Sequence, residues 1–223
     1  MKKMQNQLFS CVLLLMSGSL SFAQEVDFGG YSKIDIAAEG TDIVKSRLEI
    51  EPGFNLESGR GWAFTSSLRI RADLVDDLIP GSPAYTSYAS LTKPLTLGDH
   101  ITAELRDFYL DAEVTGVNWR IGKQQIVWGQ LDGFKLLDQL NPQSFQEFIL
   151  EDFDQSRIGL WAVNAEFSVS GADLQLVYSP DTSVGDLPEQ GALFAFTAPR
   201  CRFGINGNSL EQPIGVEIVK PNN

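Results

Sequence analysis

Apolar and polar residues alternate along most of this chain, the two-residue period of a strand with two unlike faces, and helical spacing is scarce. The clearest run is Arg60 to Leu74. Trp62, Phe64, Ser66, Leu68, Ile70, Ala72 and Leu74 share one face; Ala63, Thr65, Ser67, Arg69, Arg71 and Asp73 share the other. That run exceeds a usual globular strand and suits a tilted strand crossing a bilayer, which needs about 9–11 residues. Six further strands follow the same pattern: Phe28 to Glu39, Val44 to Glu51, Asp107 to Val114, Asn118 to Trp128, Ser156 to Val169 and Asp173 to Ser179.

The connections carry a parity. Short Gly-bearing turns follow the second, fourth and sixth strands at Glu57-Ser58-Gly59, Thr115-Gly116-Val117 and Ser170-Gly171-Ala172. Long irregular segments follow the third, fifth and seventh: Val75 to His100, Gly129 to Gln155, and Pro180 onward. Outer-membrane barrels have short periplasmic turns and long external loops, so this order is the expected one for such a barrel. The first connection, Gly40-Thr41-Asp42, is short where a long loop belongs. The predicted fold is all-β, an antiparallel up-and-down transmembrane β-barrel.

The start of the chain supports export. Lys2 and Lys3 form a basic n-region, Leu8 to Met16 an apolar h-region, and Ser21-Phe22-Ala23 a small-residue cleavage site. The expected organisation is a signal peptide over 1–23 and a barrel domain over 24–223. Cys11 loosely suggests a lipobox, but it precedes most of the apolar run instead of following it. Removal of the signal leaves Cys201 alone, so no intrachain disulfide is expected. Outer-membrane barrels usually finish on a strand with an aromatic last residue, whereas Val219-Lys220-Pro221-Asn222-Asn223 reads as loop. Either the domain is the N-terminal fragment of a larger barrel, or the barrel is unusual.

Composition removes some alternatives. The net charge is −12, which argues against a nucleic-acid partner, since phosphate binding needs a basic face. Mean hydropathy of −0.07 suits a barrel and a soluble domain equally. His100 is the one histidine, so no His-based metal or catalytic cluster is expected. No carboxylate pair has a context that favours acid–base catalysis. The expectation is no enzyme, no metal and no cofactor.

From Leu105 onward the chain carries a recognisable series: Leu105-Arg106-Asp107-Phe108-Tyr109-Leu110-Asp111, then Trp119-Arg120-Ile121-Gly122-Lys123-Gln124-Gln125-Ile126-Val127-Trp128-Gly129. Asp132-Gly133-Phe134, Asp138, Asn141-Pro142, Glu147-Phe148 and Arg157-Ile158 to Trp161 follow. This series resembles a proteobacterial family of large outer-membrane barrels of unknown function (family 1302), with porin-like and alginate-export-like relatives. The resemblance implies a Gram-negative outer-membrane location and a longer parent chain. It also implies RND-type exporter components as possible partners. It supplies no catalytic residues.

In a barrel, Arg69, Arg71, Asp73, Tyr109, Asp111, Arg120 and Gln124 would line the lumen and set its selectivity. In a soluble sandwich the same residues would sit on a solvated face. Trp62, Trp119, Trp128 and Trp161 suit an interfacial aromatic girdle, or ordinary packing. Lys123 falls in phase with Trp119 and Ile121. Either a β-bulge beside Gly122 turns it inward, or it snorkels from the interface. The Gly129 to Gln155 segment folds into the barrel mouth as a constriction, or packs over the rim. In it, Phe134 to Leu140 and Phe145 to Leu150 suggest short helical turns. Asp138, Glu151, Asp152 and Asp154 read as a solvated acidic loop more readily than as a cation site. The functional expectation is an outer-membrane channel passing a small solute through a charged lumen, in contact with outer-membrane lipid. The alternative from another class is a secreted soluble β-sandwich that binds glycan; a third is a barrel-embedded enzyme.

Overall fold

A computed structural model describes residues 24–76, 78, 80–81, 85–128, 140–148, 150–188 and 191–196. The signal segment, Asp132 to Asp138, Cys201 and the 219–223 tail lie outside these residues.

The alternating segments form one antiparallel sheet of eight strands. They are β1 (Gln24–Glu39), β2 (Asp42–Ser58), β3 (Trp62–Asp73), β4 (Leu95–Leu97), β5 (Ile101–Val114), β6 (Val117–Gln124), β7 (Leu160–Val169) and β8 (Ala172–Tyr178). The order is β1-β2-β3-β5-β6-β7-β8, with β4 paired to β5, so each long strand lies beside its neighbour in sequence. This is the up-and-down order expected. The sheet is not closed: among the described residues, β1 and β8 each keep one edge without a strand partner.

Two-residue alternation gives every strand an apolar and a polar side. Register joins these into two continuous faces. On the apolar face Leu56, Phe64, Leu110, Ile121, Val163 and Tyr178 lie side by side across six strands. A row of rings also crosses it, with Phe28, Phe54, Phe64, Phe108 and Trp161 in successive contact at centroid separations of 5.1–6.3 Å. On the polar face Lys33, Glu49, Arg71 and Thr102 fall in one row, and Tyr109 and Thr65 in another.

Several strand limits differ from the sequence reading. β2 runs on through Pro52, which pairs with Gly30 on β1. There Gly30 takes φ +141, and a Cβ would fall on the Glu51 carbonyl oxygen. β5 begins at Ile101, and β4 lies inside the long irregular segment because three residues give no measurable period. β6 ends at Gln124 instead of Trp128, because the Asn141 side chain accepts from the Ile126 N–H at 2.8 Å and draws the chain out of the sheet. β7 begins at Leu160, after a single helical turn, α1 (Phe153–Ser156). Among the described residues, the Phe148 N–H donates to the Phe145 carbonyl and the Leu150 N–H to the Glu147 carbonyl, as turns. Phe134, Leu136 and Leu137 lie outside the described residues.

Candidate functional site

The described parts of the long connections do not stand away from the sheet. Residues 85–94, 140–159 and 179–188 interlock and lie across the polar face. Ser144 and Asp186 form a parallel bridge, Gln143 pairs with Arg157, and the Val184 N–H donates to the Ser87 carbonyl at 2.8 Å. Tyr85 and Tyr88 meet edge to face at 5.4 Å and pack with Ile158 as a small core of this layer. Burial, reinforced by the Asp186 charge, pushes both phenols above their ordinary pKa.

Asp181 ties this layer to the sheet. It accepts from the Thr92 hydroxyl, from Ser183 at 2.6 Å and from the Trp161 backbone N–H at 3.2 Å. Burial works against its charge, but these donors outweigh it and hold the carboxyl below the usual range.

Beneath the layer, the polar face is a lattice of opposite charges. Glu147 takes Lys45 at 2.6 Å and also pairs with Arg47. Glu151 takes Arg47 at 3.3 Å and Arg71 at 2.6 Å. Arg69 holds Glu51 at 3.0 Å and donates to the Gln155 carbonyl at 3.0 Å. Tyr31 donates to Glu49 and to the Gln155 side chain. Apart from the exposed Tyr31, the charged groups are largely enclosed, with Arg69 at 2% and Glu49 at 2% exposure. Isolated charges there would cost several kcal/mol each, so the pairing is what makes the arrangement tolerable.

The seam continues through the series that carries the family resemblance. Arg106 is the unpaired residue of a β5 bulge, where Ser67 faces Asp107 and Leu68 faces Leu105. Its guanidinium donates to the carbonyls of Asp154 at 2.6 Å and Arg157 at 2.7 Å. Asn141 bridges the exit from β6 to the Ile158 carbonyl. Gly159 lies so close to β5 that a Cβ would meet the Arg106 carbonyl oxygen at 2.9 Å. The described residues of this series therefore include the fastening between the 140–159 segment and the sheet.

The expected lining residues fall into two groups. Arg69, Arg71 and Asp73 lie under the loop layer, where Asp73 accepts from the Leu78 N–H at 2.9 Å. Tyr109, Asp111 and Arg120 sit nearer the short turns. Arg120 is forked onto Asp111 at 2.7 and 3.0 Å and stacks over the Tyr109 ring at 4.3 Å. Gln124 is fully buried, and its amide donates to the carbonyls of Arg120, Gly122 and Ala162.

The four tryptophans separate. Trp62 and Trp119 flank Ala112 in register beside the short turns, while Trp161 lies at the loop end and donates to the Leu91 carbonyl. Trp128, past the end of β6, donates to Gln175, which pairs with Glu166. Thus the structure brings Trp62 and Trp119 near one another, and neither Trp128 nor Trp161 joins them.

Two expectations need correction. No bulge interrupts β6, whose pairing with β5 and β7 runs without a shift. Instead Gly122 takes φ +133, where a Cβ would fall on the Phe108 carbonyl oxygen. Lys123 is 1% exposed and lies 4.0 Å from Glu104. The acidic loop is solvated at Asp152 and Asp154, both exposed, but not at Glu151, which is enclosed and pairs with Arg47 and Arg71. Among the described residues no three His, Cys, Asp or Glu side chains form a metal cluster.

Sequence reasoning missed the contacts between loop and sheet, above all those of Glu147 with Lys45 and Arg47 and of Arg106 with the Asp154 and Arg157 carbonyls, and the sheet carboxylates Glu49 and Glu104 that pair with Arg71 and Arg69. Alternation put Arg47 and Glu49 on the polar face, but only the return of residues 140–159 made them a site. No family model, no curated protein and no solved structure matches this chain.

Proposed function

We propose that this sheet is a wall of an outer-membrane channel, with the loop layer as its internal constriction. The observation that carries the reading is the opposition of the two faces. One holds a docked, ion-paired loop layer. The other leaves large apolar side chains bare, with Phe28 at 78%, Ile34 at 70%, Leu176 at 62% and Tyr178 at 70% exposure. A contiguous apolar surface of this kind needs a cover, and lipid is the cover that suits long strands. β1 and β2, at 16 and 17 residues, exceed what a bilayer core requires. A glycan-binding sandwich would need a second sheet on that apolar face, and among the described residues none lies there.

In this reading the polar face lines a water-filled lumen, and a small solute passes by diffusion past the paired charges without covalent chemistry. Closure of the barrel belongs to the same proposal. The family resemblance adds RND-type exporter components as partners, which co-purification of the exporter with the membrane-extracted protein would reveal. The deciding experiment is reconstitution of the full-length protein in planar bilayers, with discrete conductance steps as the expected result. A folded, inserted protein that never conducts would sink the channel. Shortening the 140–159 segment is expected to enlarge each step, because the segment occupies the charged face.

A further inference from the structure

Residues 140–159 are held in two different ways. At its feet the segment is fixed through the backbone. The Ser144 N–H donates to the Ser156 carbonyl at 2.7 Å, and the Ile158 N–H to the Pro142 carbonyl at 2.8 Å. Arg69 and Arg106 grip the carbonyls of Asp154, Gln155 and Arg157 beside the second foot. Between the feet runs an arc, described at 145–148 and 150–155. Among the described residues, no backbone hydrogen bond joins 146–153 to a strand; the backbone bonds there close turns within the arc.

The arc does not dock by covering apolar surface. Phe148 and Leu150 stay 49% and 64% exposed. Among the described side chains of the arc only Glu147 is buried, at 3% exposure, and it is a carboxylate. It sits between Lys45, at 2.6 Å, and the Arg47 guanidinium. On the sheet these two cations share Asp35, at 3.8 and 3.3 Å, which also holds Lys33 at 3.1 Å. With the arc lifted the cations outnumber that carboxylate, and one more restores the balance. The docked arc is also imperfectly satisfied. Phe148 takes φ +56, a left-handed conformation that costs a bulky residue. Arg47 Nε and one Glu151 oxygen are buried without a hydrogen bond.

We propose that Lys45 and Arg47 form a subsite for small carboxylate-bearing solutes, which Glu147 of the arc occupies until such a solute displaces it. The arc is a built-in competitor. It sets the same group on the same charged donors, on a tether whose feet stay bonded when it lifts. The inference deepens the channel reading and rests on it for a role in passage, but displacement can be read without conduction.

The test uses the full-length protein in detergent micelles, with acetate as the probe and chloride at matched ionic strength as the control. Acetate that binds only the lifted form raises its population by mass action, and chymotrypsin cleavage after Phe148 reports that population. Cleavage of the wild type should rise in proportion to acetate, roughly tenfold where acetate stands about tenfold above its Kd. Glu147→Ala removes a methylene and a carboxylate, the heavy atoms of acetate itself. The melting temperature lost in that variant should return with acetate and not with chloride. Adding Lys45→Gln to Glu147→Ala should cancel the rescue. If Glu147→Ala does not fold, the wild-type cleavage decides. Equal effects of acetate and chloride overturn the proposal. Rescue without displacement in the wild type overturns it as well, leaving Glu147 a structural clamp. Displacement without rescue in a folded Glu147→Ala places acetate elsewhere and overturns the subsite. A folded protein that never conducts counts against the channel, and both acetate readouts then judge the subsite alone.

Discussion

Arg106 has no strand partner because it is the extra residue of a bulge, and that freedom lets its guanidinium reach the returning chain. Two strong bonds to loop carbonyls, at 2.6 and 2.7 Å, hold what would otherwise be a long excursion. Hydrogen bonds from a charged donor contribute about 1.5–3 kcal/mol each. Arg106→Ala should therefore loosen the 140–159 segment and raise its protease cleavage rate on the order of a hundredfold. Arg106→Lys should not restore it, since an ammonium lacks the planar fork. Unchanged cleavage in both variants would remove Arg106 from the fastening. Gly122→Ala tests the backbone itself: at φ +133, with the Phe108 carbonyl in the way, it should cost about 1–3 kcal/mol in a denaturant titration. Asp181 gives a pH signature. Its folded pKa lies below the ordinary value, so its contribution is full above about pH 4 and fades as pH falls through the lowered value. Asp181→Asn should lower the melting temperature at neutral pH, and the gap from wild type should close in acid. A gap independent of pH would show that its charge is not what ties the loops to β7.

At the scale of elements, the 140–159 segment and strands β2 and β3 form one electrostatic unit. Glu147 and Glu151 reach Lys45, Arg47 and Arg71 across the gap between loop and sheet. Breaking one side of a buried pair strands the other charge, at a cost of about 3–5 kcal/mol. The double variant Glu147→Ala, Arg47→Ala should thus destabilise by less than the sum of the two single variants. A double-mutant cycle on thermal or denaturant unfolding measures the coupling, and strict additivity would refute the clamp. Because these groups are enclosed, moderate salt should change the coupling little. The hairpin turns show the opposite economy. Gly116 at φ +77 and Gly171 at φ +84 close two of them in a backbone region open to glycine, and no loop returns over the sheet from those turns.

For the whole molecule, the decisive property is a single sheet with two unlike sides. The apolar side is tiled by large residues and crossed by a row of five aromatic rings. A cation placed there should be tolerated by a soluble protein and penalised in a bilayer. Phe108→Lys, in the middle of β5, is expected to cost about 2–4 kcal/mol for folding into lipid vesicles. Recovery of the native protein in the soluble periplasm, or an unpenalised Phe108→Lys, would count against a lipid-facing surface.

Much of the fold was legible because strands write their own code: alternation assigned both faces, and Gly-bearing connections marked the hairpins. The all-β meander and the polar side carrying Arg69, Arg71, Asp111 and Arg120 follow from that local rule. What alternation cannot express is contact between segments far apart in sequence. Arg47 and Glu147 are a hundred positions apart and look like two more surface charges until the chain returns. Lys123 looked misplaced for the same reason, since Gly122 and Glu104 together give it a place. The amino-acid pattern determined a two-faced antiparallel sheet, because strand geometry is set residue by residue. Only the tertiary structure decided that the long loops lie across the charged face. Ion pairing and burial depend on neighbours that the linear order does not reveal.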